Sequence, residues 1–166
     1  VKFSFEFLIP GGSETGEKIA TILKEELDGI GIDMTIRKTE WAVFTTRLNE
    51  RNFDAVTLAW SMGIESDPYQ IWSSTQAESG SNFIGFKNAE VDRLIETARK
   101  EFDRDKRIEL YRKFSEIIHE EQPYTFLFCR KATVAVNKRF ENVTVYPLGI
   151  EPTEWYVPLP LQKYKE

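Results

Sequence analysis

The sequence contains little of what most metal sites and nucleophilic active sites require. Its 166 residues include one cysteine, Cys129, and one histidine, His119. A single thiol cannot close an internal disulfide, and metal ligation needs several ligands at suitable spacing. CxxC, HxxxH and EF-hand patterns are absent, so the residues indicate neither a metal site nor a cofactor. We interpret Cys129 as a small buried apolar residue and His119 as a residue at the solvent edge of a helix.

Long apolar runs and a strong excess of one charge are also missing. No stretch is long enough to span a bilayer, and the first residues lack the basic-then-apolar pattern of a signal peptide. The net charge of −5 has both signs interspersed, which argues against a nucleic-acid partner. With 41% apolar and 30% charged residues, the chain has the composition of a globular protein and the length of one domain, 1–166.

Apolar periodicity predicts an α/β fold. Phe3, Phe5 and Phe7 alternate with polar residues, as in a half-buried strand. A helix follows, with an apolar face made of Ile19, Ile22, Leu23, Leu27 and Ile30. A second alternating stretch runs over 32–36. Strand, helix and strand at this spacing predict two parallel strands joined by a right-handed crossover.

The later elements are predicted from caps and short apolar runs. Thr39 is expected to cap a short helix that carries Trp41, and 55–60 is expected to form a strand. Further caps are predicted at Asn88 and Asp103, and further strands at 124–129 and 133–136. The aromatic residues that are most simply assigned to the core are Phe44, Phe53, Phe114 and Phe126.

The strongest candidate for a ligand site lies where the strand 55–60 ends. It delivers Trp60 to a small, polar loop, and Asp67–Pro68 then opens a helix. In open α/β sheets, ligands bind at the carboxyl ends of strands. Asp67 is most simply a helix cap, whereas Trp41 and Trp60 are equally compatible with the core and with stacking on a ligand. The polar loop 73–85 is expected to be functional or mobile.

Several stretches, in order, resemble the extracellular solute-binding proteins of peptide-type ABC transporters. They are Gly31–Met34, Glu40-Trp41 with Phe44, Asn52-Phe53-Asp54, Ala59-Trp60-Ser61, Asp67-Pro68, Asn82–Ile95, Arg107–Tyr111, Gln122-Pro123-Tyr124 and Val136–Arg139. The resemblance covers nearly the whole chain. It implies one lobe of type II periplasmic-binding-protein-like fold, with a mixed, mostly parallel sheet flanked by helices.

The resemblance also implies a partner and a place of action. The chain would be the C-terminal lobe of a two-lobed clamp, with 146–166 as the segment that returns to the hinge and the tail. A peptide would be held between this lobe and an N-terminal lobe, then delivered to an ABC transporter permease. The protein would act outside the cytoplasm, in a periplasm or on the outer face of the membrane, with or without a lipid anchor.

The positions that would hold the ligand follow from the same resemblance. They are Trp41, Thr45, Thr57, Trp60, Ser61, Met62, Gly63, Glu65 and Asp67. Many peptide binders of the family have an amine-anchoring aspartate where this chain has Gly63. Other ligands known in the family are oligosaccharides, nickel complexes and haem. Two further classes stay open: a small α/β enzyme using Glu65 or Asp67, and an interaction module using the loop 73–85.

Overall fold

The computed structural model describes residues 3–63, 65 and 67–163, which form two compact units. The first unit takes its described residues from 1–60 and 67–123, and the second from 61–66 and 124–166. Among the described residues, no helix is both long and apolar enough to cross a membrane.

A three-stranded parallel sheet is the centre of the first unit. Strand β1 (Ser4–Pro10) lies in the middle, between β2 (Asp33–Thr39) and β3 (Ala55–Val56). Helix α1 (Glu14–Gly29) connects β1 to β2, whose ladder runs in register over all seven residues of each strand. The predicted strand–helix–strand unit and the α/β fold class are therefore confirmed.

The two faces of β1 bury different side chains, because alternate residues of a strand point to opposite faces. Phe7 and Ile9 pack with Ala20 and Met34 on the side of α1. Leu8 faces the other side and packs with residues of the next helix. Both faces are thus covered, as is usual for a parallel sheet.

The predicted apolar face of α1 is correct at its centre and wrong at two positions. Leu23 and Leu27 pack against the core beside Ala20. Ile22 is 61% exposed because it lies on the flank of this stripe, and Ile30 is 71% exposed because it follows the last helical residue. The buried stripe is therefore narrower than the apolar pattern of the sequence.

Helix α2 (Trp41–Asn49) follows β2 directly and buries Phe44 and Leu48. The prediction that Thr39 caps this helix is wrong, because β2 continues through Thr39 and the N-cap residue is Glu40. The Thr39 hydroxyl is buried without a hydrogen-bond partner among the described residues. The predicted strand 55–60 is also too long, since its ladder with β1 includes only Ala55 and Val56.

The remaining regular elements described in the first unit are helices. Helix α3 (Tyr69–Trp72) is followed by a short 3₁₀ turn, by α4 (Ala89–Lys100) and by α5 (Arg104–Glu121). The predicted caps are confirmed: the Asn88 carboxamide accepts hydrogen bonds from two backbone amides of α4, and the Asp103 carboxylate from two of α5. Phe114 of α5 lies against Trp72 at a ring distance of 6.2 Å.

The described part of the second unit contains one antiparallel pair of strands, β4 (Val145–Tyr146) with β5 (Gly149–Ile150), and two short 3₁₀ turns. The strands predicted at 124–129 and 133–136 are wrong, because no described residue pairs with either stretch in a ladder. Cys129 and Phe126, both predicted to be buried, are exposed. Alternating apolar residues form a strand only when a neighbouring strand supplies the hydrogen bonds.

Candidate ligand-binding site

Two exposed tryptophans follow the carboxyl ends of β2 and β3, the strands on either side of β1. Trp41 is the first residue of α2 and comes two residues after the end of β2. Trp60 comes four residues after the end of β3, in a stretch without regular structure. Because both strands run parallel to β1, their carboxyl ends lie at the same edge of the sheet, which is where ligands bind in open α/β sheets.

Trp41 is 62% exposed and stacks on Phe44, with ring centroids 5.6 Å apart and an interplanar angle of 23°. Phe44 is fully buried, so it supports the indole from the protein side. The hydroxyl of Thr45 donates within the helix, to the carbonyl oxygens of Trp41 and Ala42, both 3.0 Å away. One face of the Trp41 indole is thus supported by the core.

Trp60 is 41% exposed and stacks almost parallel on Phe83, with ring centroids 6.0 Å apart and an angle of 9°. Phe83 packs against the cluster of Leu8, Phe44 and Leu48, the same cluster that contains the ring beneath Trp41. Both exposed indoles therefore rest on phenylalanines of a single core cluster.

Thr57 and Asp67 belong to the first unit, and each contacts neighbouring elements of that unit. The Thr57 methyl group lies against the first turn of α1 at Gly16, where an added Cβ would be 3.6 Å from it. The Asp67 carboxylate accepts the backbone N–H of Tyr69 at 3.0 Å and pairs with Arg99, also at 3.0 Å. The prediction that Asp67 is the helix cap and Pro68 the first helical residue is wrong by one position, because α3 begins at Tyr69 and its N-cap is Pro68.

The remaining predicted positions belong to the second unit. Ser61, Met62, Gly63 and Glu65 are all exposed there. They lie outside every helix and strand. The nine predicted residues therefore divide into five in the first unit, namely Trp41, Thr45, Thr57, Trp60 and Asp67, and four in the second.

The loop 73–85 is organised by a residue that sequence reasoning missed. Asn82 is fully buried, and its amide group donates to the carbonyl oxygens of Ser73 at 3.1 Å and Phe86 at 2.8 Å. Its carboxamide oxygen accepts the Phe86 N–H at 3.0 Å. A polar residue inside an otherwise irregular stretch gave no signal of burial. The loop is fixed at both ends by one side chain.

A second missed residue is Arg51, in the turn after α2. Its guanidinium donates to backbone carbonyls of the loop 73–85 and lies over the Phe83 ring. The contact joins the end of α2 to the ring beneath Trp60. The partners are about 30 residues away in sequence, and a pattern limited to neighbouring positions does not report them.

The main charged group near the sheet is Glu6 of β1. Partial burial disfavours its ionised form, but hydrogen bonds from Arg47 and Arg37 outweigh burial and hold the pKa of Glu6 below its ordinary value. The Arg47 guanidinium lies 2.7 Å from one carboxylate oxygen of Glu6. This pair connects β1 to α2. Among the described residues, no cluster of three or more histidine, cysteine or acidic side chains is arranged to hold a metal ion.

Comparison with known proteins identifies the family. Residues 2–82 match the bacterial extracellular solute-binding proteins, family 5 middle region. The chain is 34% identical to the oligopeptide-binding protein AppA of Bacillus subtilis over 148 residues, which is 88% of this chain and 27% of that protein. The chain belongs to the family 5 extracellular solute-binding proteins.

Solved structures agree with this family assignment. AppA from Bacillus subtilis in complex with a nonapeptide superposes with a TM-score of 0.79 at 31% identity, over 93% of this chain and 32% of that one. DppA from Helicobacter pylori, an ABC transporter-associated periplasmic binding protein in complex with the peptide STSA, superposes with a TM-score of 0.65 at 28% identity, over 74% and 24% of the two chains. The type II periplasmic-binding-protein fold is thereby confirmed, and the chain spans about a quarter of the curated relatives' length.

Proposed function

We propose that this chain is the C-terminal ligand-binding lobe of a family 5 solute-binding protein that captures oligopeptides for an ABC importer. The observation that supports it most is the pair of exposed tryptophans, Trp41 and Trp60, each backed by a phenylalanine of one core cluster. Rigidly backed indoles offer a large contact area at little entropic cost, because the rings are already held before a ligand arrives.

An extended peptide is the ligand class that suits this edge of the sheet. The ladder of β3 ends at Val56, and residues 57–63 continue without regular structure. Such a stretch can pair its backbone with an extended peptide, which gives affinity without reading side chains. In this proposal the exposed residues Ser61, Met62 and Gly63 contribute mainly backbone groups, and Trp41 and Trp60 contribute stacking.

Asp67, one of the proposed acidic contacts, already makes contacts within the first unit. Both Asp67 oxygens already have partners, since Oδ1 accepts the Tyr69 amide and Oδ2 pairs with Arg99. Asp67 therefore supports the site chiefly by fixing the start of α3. Thr45 and Thr57 have analogous supporting positions, beside Trp41 and against α1 respectively.

The complete protein has two lobes in this proposal, and closure of the lobes on a ligand is the signal read by a membrane permease. It works outside the cytoplasm. The relatives named above are binding proteins, so we assign binding and delivery to this chain and no catalytic step.

Peptide binding by the full-length protein tests the proposal. Small molecules that co-purify with it are identified by mass spectrometry, and calorimetry then measures the affinity for those peptides. Trp60→Ala should weaken binding by about ten- to a hundredfold, since losing one stacked indole costs about 1–3 kcal/mol. Phe102→Ala is the matched control, because Phe102 is 97% exposed between α4 and α5 and should leave the affinity unchanged.

Other outcomes would contradict the proposal in distinct ways. Co-purified oligosaccharide, a nickel complex or haem would keep the family and replace the ligand class. Equal affinity in Trp60→Ala and wild type would exclude the indole as a contact. Turnover of the peptide that depends on Glu65 or Asp67 would make the protein an enzyme, and binding of another protein through the loop 73–85 would make it an interaction module.

A further inference from the structure

Arg51 occupies a backbone conformation that an arginine rarely adopts. Its φ angle is 55°, in the left-handed region, immediately after the C-cap of α2. That region is unfavourable for an L-residue other than glycine, and glycine is the usual choice where a helix ends in this way. The side chain of Arg51 must therefore supply contacts that glycine would not.

The guanidinium of Arg51 donates to four backbone carbonyl oxygens, three in the loop 73–85 (Gln76, Ala77 and Gly80) and one in α2. Nε donates to the carbonyl oxygen of Ala77 at 3.2 Å, and Nη2 donates to that of Gly80 at 2.9 Å. Nη1 donates to the carbonyl oxygen of Asn49, in the last turn of α2. A planar fork of five N–H donors can hold several carbonyl groups at once, which an ammonium group does less well. Arg51 thus ties the loop 73–85 to the end of α2.

The same guanidinium also lies over the ring on which Trp60 rests. The Cζ atom of Arg51 is 5.7 Å from the centroid of the Phe83 ring, within the range of a cation–π contact. Phe83 is stacked nearly parallel to Trp60. The contacts therefore form a continuous series from the Arg51 guanidinium through the Phe83 ring to the indole.

We propose that Arg51 is a positioning residue for ligand binding, which sets the orientation of the Trp60 indole through Phe83 and the loop 73–85. The inference rests on the proposed function, in which Trp60 contacts the ligand. Arg51 itself does not touch the ligand in this scheme. Without the Arg51 guanidinium the Phe83 ring should be less firmly held. The Trp60 indole would then become ordered only when the ligand binds, and the entropy lost in ordering it would weaken the affinity.

Fluorine NMR of protein labelled with 5-fluorotryptophan tests the orientation of Trp60 without any ligand. The chain has four tryptophans, and the Trp60 resonance is assigned by its loss in Trp60→Phe. Arg51→Met keeps a long unbranched side chain at this position but removes the N–H donors of the guanidinium. We expect the Trp60 resonance to shift or broaden in Arg51→Met, while the Trp155 resonance of the second unit stays in place.

Arg47→Met is the matched control. Arg47 also lies near the end of α2 and also donates to a backbone carbonyl, that of Asn52 at 2.9 Å. Its guanidinium pairs with Glu6 of β1, however, whereas that of Arg51 contacts the loop 73–85. It should lower stability and leave the Trp60 resonance unchanged. An unchanged Trp60 resonance in Arg51→Met, or an equal shift in Arg47→Met, overturns the proposal, because either result reduces Arg51 to general support of the fold.

A double-mutant cycle connects the orientation to binding. Calorimetry on the full-length protein uses pentaalanine and the same peptide with a central phenylalanine. We expect Arg51→Met to weaken binding about three- to tenfold in the wild-type background and little in the Trp60→Ala background, since neighbouring residues that act together are not additive. Equal weakening in both backgrounds overturns the proposal. If Trp60→Ala leaves both affinities unchanged, the proposed function fails at Trp60, and the NMR result alone decides whether Arg51 orders the indole.

Discussion

The two units of this chain hold their structure by different means. All the described buried apolar residues, such as Leu8, Phe44 and Leu94, belong to the first unit, where a parallel sheet and helices cover them. In the second unit no described residue is buried, and its side chains make exposed hydrogen bonds with one another and with the backbone. Examples are the hydrogen bonds from Tyr146 to Glu154 and from Tyr156 to Glu141. The two units should therefore respond differently to cavities and to pH.

The largest difference should follow from removing one leucine in each unit. Leu8 is fully buried in the central strand, whereas Leu127 of the second unit is 50% exposed. Leu8→Ala should lower the free energy of unfolding by about 2–5 kcal/mol, because it removes apolar contact and leaves a cavity. Leu127→Ala should change it by less than about 0.5 kcal/mol. Urea unfolding measures both, and similar losses would remove the distinction between the units.

An intermediate effect is expected at acid pH in the first unit. Since the pKa of Glu6 is lower in the folded protein, the ionised form stabilises the fold fully above its ordinary value of 4.5. That contribution is lost as the pH falls through the lowered value. Glu6→Gln should therefore cost about 1 kcal/mol at pH 7 and approach zero cost in strong acid.

Unfolding curves of wild type and Glu6→Gln across acid pH measure this change. Glu90→Gln is the comparison, because a hydrogen bond from Arg93 also lowers the pKa of Glu90 but both side chains are exposed on α4, so its pH-dependent loss should be smaller. A stability difference for Glu6→Gln that does not vary with pH would mean that its charge is not the source.

The smallest effect should appear at alkaline pH in the second unit. A hydrogen bond to the Glu154 carboxylate raises the pKa of Tyr146, and one to Glu141 raises the pKa of Tyr156. The neutral phenols thus favour the folded state below the ordinary pKa of 10, and the contribution is lost as the pH rises through the raised values.

A pH titration followed by carbon-13 NMR of protein labelled at the tyrosine Cζ resolves the six tyrosines and tests this with two reciprocal variants. Glu154→Gln should return the Tyr146 transition toward its ordinary pH and leave Tyr156 in place. Glu141→Gln should do the opposite, so each variant is the control for the other. Transitions that do not move in either variant would show that the carboxylates are not the cause.

The first unit was predictable where the determining residues are close in sequence. The period of the apolar residues predicts β1, α1 and β2, because each forms its own pattern over several residues. The caps at Asn88 and Asp103 were predictable for the same reason, since a cap bonds to amides two and three residues later.

The parts that were not predictable depend on distant partners. An alternating stretch such as 124–129 has the side chains of a strand, but pairing needs a neighbour that the local pattern does not specify. The contact of Arg99 with Asp67 and the stacking of Phe83 on Trp60 join positions more than 20 residues apart. The exposed tryptophans could be named as candidates, while the residues that support them could not.

The unequal ladders of the sheet have a consequence for local opening. Strand β1 pairs with β2 over seven residues but with β3 over only two. Amide hydrogens of β2 should therefore exchange with solvent only in rare, large openings, whereas those at β3 should exchange through small and frequent ones. Strand β3 is then the part of the sheet that can open alone, while the strand–helix–strand unit of β1, α1 and β2 stays intact.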